Sequence, residues 1–285
     1  MTLRIGWFST GRGPGSRALL TAAVEAIRSG TLPAEIAFVF SHRERGEHEG
    51  SDQFFDLVES YGLPLITFSD RKFRRQAGGQ VARLGQPLPA WRTDYDRRVA
   101  ELVAPYRFDL GILAGYMLIF TAPMCNRYPL LNLHPAAPGG PKGIWQEVIW
   151  ELIRQRAAVS GVYTHLSIEE VDEGPVVTYC TYPLRGPDFD ALWREIEGRT
   201  VEELRASPGE ALPLFQEIRR HGAAREQPLI IETIRAFAEG RVRLEGRTVV
   251  DREGRPVSGY DLTPEIDRAV GALRAGEAPV QGRRP

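Results

Sequence analysis

Short apolar runs alternate along the chain with stretches in which apolar positions recur at three- and four-residue spacing. Leu3–Phe8, Ile36–Phe40, Leu65–Phe68 and Phe108–Ala114 read as strands. The last is almost wholly apolar, as a parallel strand covered on both faces requires. Ala18–Arg28, Asp52–Tyr61 and Trp91–Val103 carry the helical period between them. The run Tyr128–Leu131 reads as a further strand leading into Asn132 and His134. An amphipathic helix over Gln146–Arg156 follows, then strands over Ala158–Leu166 and Val176–Tyr182. Strands alternating with helices predict an α/β fold: an open, mostly parallel, Rossmann-like sheet with helices on both faces. Asp188–Arg220 is helical with a break at Ala206–Gly209, Gln227–Ala238 is a separate helix, and Arg241–Leu244 with Thr248–Val250 forms a hairpin turned at Gly246. Residues 1–260 read as one domain with an Arg- and Gly-rich insertion at 69–90, and residues 261–285 as a loosely held tail. The histidines of the charged loop His42–Gly50 are expected to be solvated.

Composition narrows the function. A formal net charge of −1 leaves no overall basic field of the kind that attracts nucleic acid. Lys72 and Lys142 are the only lysines, an arginine bias that by itself implies no binding role. Two cysteines, Cys125 and Cys180, make neither a disulfide framework nor a zinc site, and the five histidines lack metal-ligand spacing, so no metal is expected. The first apolar run is too short for a signal peptide and no run approaches a membrane span, which predicts a cytoplasmic protein acting on small molecules, of unspecified oligomeric state.

Three patterns carry candidate chemistry. Asn132 and His134 are two apart at a strand end, so their side chains leave the sheet on one face, and Pro135 then stops regular pairing. Asp172 precedes the turn signal Gly174-Pro175. An amide, an imidazole and a carboxylate suit a reaction in which a carbonyl oxygen gains negative charge while a proton moves. The third pattern is Ser9–Arg17, a glycine-rich turn between strand and helix that aims backbone N–H groups at a phosphate. It fits neither the dinucleotide fingerprint nor the P-loop.

In order and spacing these segments resemble the folate-dependent formyltransferases, most closely the branch that formylates glycinamide ribonucleotide in purine synthesis. Asn132, His134 and Pro135 match that family's Asn-Ile-His-Pro. Gly161, His165 and Asp172 match its Gly-x-x-x-His and the Asp seven residues on, with Glu173 in place of a glycine. The resemblance implies that Asn132, His134 and Asp172 are the catalytic trio, with His165 either bonding near the catalytic imidazole or structural. It also implies that Leu113, Gly115, Met117, Leu118 and Ile119 line a folate pocket, Leu118 standing where the family has Arg. Arg92 occupies the place of an arginine at the active-site mouth. Gly11, Gly13 and Ser16 match the phosphate-gripping turn, with Pro14-Gly15 inserted and Arg17 replacing an Asn, so Arg12 and Arg17 are candidates to add charge. Lys142, in a loop that departs from the family's, is a candidate contact for an anionic substrate. The position of a family Glu that contacts the ribonucleotide falls on Ala223.

The activity so implied is transfer of a formyl group from 10-formyltetrahydrofolate, as cosubstrate, to the primary amine of glycinamide ribonucleotide through a tetrahedral oxyanion. A same-fold enzyme for another amine remains open, as does a 10-formyltetrahydrofolate hydrolase, although an amino-terminal regulatory domain would be expected of the latter and this chain starts at strand one. A non-catalytic folate- or nucleotide-binding protein fits less well with the trio intact. A nicotinamide-dependent enzyme lacks its ribose-binding pattern.

Overall fold

A computed structural model describes residues 2–81, 86–170 and 172–277. β1 (Leu3–Phe8) is followed by α1 (Pro14–Arg28), β2 (Ala34–Ser41), α2 (Glu49–Ser60) and β3 (Leu65–Thr67). Then come α3 (Asp70–Gln76), α4 (Trp91–Val103), β4 (Leu110–Leu113), the single turn α5 (Ala122–Cys125), β5 (Leu130–His134), α6 (Trp145–Arg154), β6 (Val159–Leu166) and β7 (Val176–Pro183). The remainder is α7 (Asp190–Glu195), α8 (Val201–Ala206), a 3-10 turn at Gly209–Ala211, α9 (Pro213–Ala238), the hairpin β8 (Val242–Glu245) and β9 (Thr248–Asp251), β10 (Tyr260–Asp261) and α10 (Thr263–Glu277). Eight strands run in the order β10-β7-β6-β5-β4-β1-β2-β3. The β1–β2, β2–β3, β1–β4 and β4–β5 pairs are parallel, so these five strands bring their carboxyl ends to one edge. No helix of the described residues is long and apolar enough to cross a membrane.

The chain divides into two compact units. The first comprises 1–133, 164–177 and 233–258; the second comprises 134–163, 178–232 and 259–285. In the first, Phe8 on the central strand β1 meets Phe38 and Phe120 edge-to-face, with ring centroids 5.5 and 5.6 Å apart, a geometry the aromatic quadrupole favours. Tyr95, Val99 and Val103 of α4 cover the same core. A charged pair is buried here too: Arg92 and Asp96, one turn apart on α4, have side chains 2 % and 0 % exposed. Asp96 Oδ2 accepts from the Thr121 N–H at 2.6 Å and its hydroxyl at 2.7 Å, which anchors the start of α5. Burial nonetheless pushes its carboxyl up to about 6, against the opposing pull of Arg92.

His42 is not solvated, contrary to expectation. It is wholly buried, with Nδ1 3.1 Å from Asp70 Oδ1, and Arg43 Nη1 reaches the same carboxylate. Burial lowers the His42 pKa. His48, by contrast, stays at the surface and caps α2 by accepting the Gly50 N–H. The insertion begins as α3, and Trp91 Nε1 donates to Gln80 O at 2.8 Å; residues 82–85 lie outside the described residues.

In the second unit, Trp150 of α6 packs on Phe215 of α9 with centroids 4.8 Å apart, and Arg205 of α8 takes both oxygens of Glu147. The expected break before Gln227 is absent, and Pro228 sits inside α9. Leu214, Phe215, Ile218, Leu229 and Ile230 are all buried. That burial outweighs the one hydrogen bond a proline removes. The expected loose tail is also corrected. Residues 260–277 form β10, parallel to β7, and α10, with Leu262, Ile266 and Val270 buried and Asp267 paired to Arg225 at 3.1 Å; residues 278–285 lie outside the described residues.

Two outcomes follow for stability. Ile266→Ala should cost about 2–5 kcal/mol in urea unfolding, as deletion of a buried aliphatic group does, whereas a loose tail would give almost none. For Asp96, the folded state holds a proton that the unfolded chain releases. Its contribution to stability therefore falls as pH rises from 3.8 to about 6. Asp96→Asn should remove a pH-dependent difference of about 3 kcal/mol across that window. Parallel unfolding curves for variant and wild type at both ends would contradict this.

Candidate active site

The turn after β1 and the loop after β4 are bound together at the carboxyl edge. Thr10, 2 % exposed, gives both its N–H (3.1 Å) and its hydroxyl (2.7 Å) to the carbonyl of Gly115. Gly11 is required at the next position: φ is +66°, and a Cβ there would stand 2.3 Å from the Phe54 side chain. Gly13 then caps α1 and Pro14 opens it with no acidic residue in the first turn, so the positive end of the helix dipole is left uncompensated. Ser16 lies in this turn, beside Gly115. Arg17 turns inward: its Nη1 donates to Gly11 O (3.3 Å) and Gly50 O (3.2 Å), bracing the turn. Arg12 is exposed.

In the loop after β4, Tyr116 and Phe120 stack with centroids 4.6 Å apart and point into the core, while Met117 between them is 67 % exposed. Gly115 is exposed, Leu118 and Ile119 are half-buried, and Leu113 is buried at the end of β4. Arg92 is placed differently from the expected mouth position. It lies buried beneath this loop, and its Nη2 donates to Ile119 O at 2.7 Å. It shapes the loop from below.

Asn132 is half-buried near the end of β5, and its amide nitrogen lies 3.2 Å from His165 Nε2. The same ring nitrogen lies 3.4 Å from Asp172 Oδ1, so a buried imidazole joins two of the three predicted residues. One nitrogen carries either a proton or a lone pair and cannot serve both neighbours as donor and acceptor. A carboxylate only accepts, which assigns the proton to Nε2. The amide then meets Nε2 through its oxygen, since amide orientation is inferred from the network. Asp172 has φ +55°, a left-handed backbone uncommon outside glycine and of a kind that clusters at functional sites. Gly174 fixes the same loop, because a Cβ there would come 1.7 Å from Leu166 O.

His134 belongs to the second unit. Its Nε2 lies 2.9 Å from Pro141 O, and its ring is 4.9 Å from that of Tyr163. A carbonyl only accepts, so Nε2 carries a proton and the ring charge is decided at Nδ1. Lys142 follows Pro141 directly and is exposed. Near Ala223 on α9, Glu226 is taken by Arg219 at 2.6 Å and Arg225 by Asp267. Asp188, Glu217 and His221 place ligand-type atoms within 4.8 Å of one another. Arg220 already binds Glu217 and approaches Asp188 at 3.9 Å, which places a guanidinium against the two carboxylates.

Sequence reasoning missed the part played by Thr10, and for His165 it left two readings open without the contacts to Asn132 and Asp172. For His165, its spacing before Asp172 was the available signal.

The Formyl transferase family profile matches residues 13–184. A phosphoribosylglycinamide formyltransferase of Haemophilus influenzae is 26% identical over 252 residues, spanning 85% of this chain and 92% of its own length. The crystal structure of glycinamide ribonucleotide transformylase 1 from Symbiobacterium toebii superposes with a TM-score of 0.59 at 27% identity, covering 87% of this chain and 93% of its own. A formyltetrahydrofolate deformylase of Haemophilus influenzae is 25% identical over 150 residues, 52% of this chain and 44% of its own. The chain belongs to the formyl transferase family and is a folate-dependent formyltransferase.

Proposed function

We propose that the chain transfers the formyl group of 10-formyltetrahydrofolate to the primary amine of glycinamide ribonucleotide. The observation that carries this reading is the imidazole of His165 held against both Asn132 and Asp172, beside the phosphate-type turn and the exposed Met117 loop of the same unit. Its relatives by that printed activity support the acceptor.

In the reaction the amine nitrogen attacks the formyl carbon and the carbonyl π pair moves to oxygen. The tetrahedral alkoxide then collapses, the bond from carbon to N10 breaks, and the amine proton ends on that nitrogen. With its oxygen turned to His165, Asn132 offers its NH₂ to the alkoxide, and His134 offers its charged ring. Asp172 holds the charge and relays the proton, through water. The turn Gly11–Ser16 takes the ribonucleotide phosphate on backbone N–H groups, with Arg12 adding charge and Arg17 keeping the turn in shape. Leu113, Gly115, Met117, Leu118 and Ile119 receive the folate, over a loop that Arg92 supports. Lys142 meets the anionic substrate from the loop beside His134.

Ala223 in place of an acid, and likeness to a deformylase, favour one second reading, hydrolysis of the same donor with water in place of the amine. Incubating the protein with the donor, with and without glycinamide ribonucleotide, separates them. Acceptor-dependent formation of tetrahydrofolate is expected; equal loss without acceptor would establish the hydrolase. His134→Ala and Asp172→Asn should each lower kcat by about 10²–10⁴-fold with the fold retained by circular dichroism, and near-normal turnover would refute their roles. His165→Leu, which touches neither substrate in this reading, should lower kcat by about 10–100-fold while leaving donor affinity within about threefold.

A further inference from the structure

A cavity lies at the other edge of the sheet in the first unit. Leu3, Leu110 and Pro129 stand at or just before the starts of β1, β4 and β5. Together with Leu166, Phe237 and the β8–β9 hairpin they line a space of about 520 Å³. In parallel α/β sheets the reacting ligands bind at the carboxyl ends of the strands, so this amino-terminal edge is separate from the site described above.

Three arginines and one acid give the lining a positive charge. Arg4, Arg45, Arg97, Arg98 and Arg255 of the same unit each hold a carboxylate. The three arginines of the cavity do not: among the described residues, Arg127, Arg243 and Arg247 have no carboxylate within salt-bridge distance. Arg127 lies over the Tyr128 ring at 5.2 Å, Arg243 Nη1 donates to Arg252 O at 3.4 Å, and Arg247 Nη2 donates to Asn126 Oδ1 at 2.9 Å. Asp109 is the one acid in the lining, and its Oδ2 accepts the Arg4 N–H at 2.8 Å; Glu169, nearby, accepts from Asn126.

The three side chains are exposed, and the backbone that carries them is tied down. Glu245 pairs with Thr248 across the two-residue turn Gly246-Arg247, with Gly246 at φ +62°, and the bond to Asn126 latches that turn to the end of α5. Tyr128 is stacked on Phe108 with centroids 4.8 Å apart. Three guanidinium groups need more than one anionic group to neutralise them, and their planar forks suit phosphate. Asp109 and Asn126 aside, most of the remaining lining is apolar, with Leu3, Leu110, Pro129, Leu166 and Phe237 offering a wall for an apolar or aromatic partner. The volume is that of an ordinary small-molecule site.

We propose that this cavity binds a nucleoside polyphosphate, the phosphates on Arg127, Arg243 and Arg247 and the base against the apolar wall of Leu3, Pro129 and Phe237. The test is calorimetric titration of the full chain with ATP, GTP, adenosine and inorganic tripolyphosphate. ATP or GTP should bind with a Kd below about 1 mM and at least about tenfold tighter than either fragment, and the double variant Arg243→Ala/Arg247→Ala should weaken it by about tenfold or more. Formyl-transfer turnover without nucleotide should be unchanged in that variant, since its residues lie outside the reacting site. Arg127→Glu, on a different element, should reproduce the loss should the hairpin variant prove unstable. Tripolyphosphate binding as tightly as the nucleotides would overturn the assignment, as would nucleotide binding indifferent to all three arginines, which would place it at the turn after β1. Absence of heat with either nucleotide at about 5 mM would overturn it too.

Discussion

One threonine holds the carboxyl edge of the sheet together. Thr10 commits its backbone N–H and its hydroxyl to the same carbonyl, that of Gly115, and its own carbonyl accepts the Ser51 hydroxyl at 2.8 Å. Buried polar groups left without partners cost about 1–3 kcal/mol each, so this set is made together or not at all. Its effect is to fix the turn after β1 and the loop after β4 against each other, although 105 residues separate them in sequence. Everything proposed for phosphate and donor rests on these two segments keeping that register.

The same economy appears beneath the loop after β4. Arg92 and Asp96 are both inaccessible to water, a costly arrangement unless each is bonded. Arg92 spends a donor on the Ile119 carbonyl, and Asp96 takes two from Thr121, so the pair holds both ends of the segment from Ile119 to α5. Tyr116 and Phe120 point inward from that loop and leave Met117 outward, a division between anchoring and presenting residues within five positions. At Asp172 the strained backbone is held by the opposite means, a glycine at 174 against which no side chain would fit.

Strands were the most legible part of the chain. β1 and α4 have the limits their apolar patterns predict, because β1 is a buried run ended by a glycine-rich turn and α4 buries one face and starts just past Pro89. Pro228 misled in the other direction. A proline is a local signal, and the apolar contacts that carry α9 through it are tertiary. α10 was illegible for a similar reason, since its buried positions, Ile266 and Val270, are sparse among charged and small residues. His42 looked like one more member of a charged loop, and its burial depends on Asp70, which is remote from it in sequence. At the site, residue types, spacing and the family resemblance made Asn132, His134 and Asp172 candidates. That an imidazole would tie the first to the third, and that Arg92 would support a loop from below, required the fold.

The scarcity of lysine has a chemical consequence for an enzyme handling an activated one-carbon donor. Primary amines are the nucleophiles such donors acylate, and guanidinium groups, protonated at any physiological pH, are not. Lys72 is engaged by Glu44, which raises its pKa and suppresses the reactive neutral form. Lys142 is the remaining side-chain amine, exposed in the loop that holds His134. Side-chain self-formylation is therefore confined to two positions in the whole sequence, and the terminal α-amine is the other primary amine a formyl donor could meet.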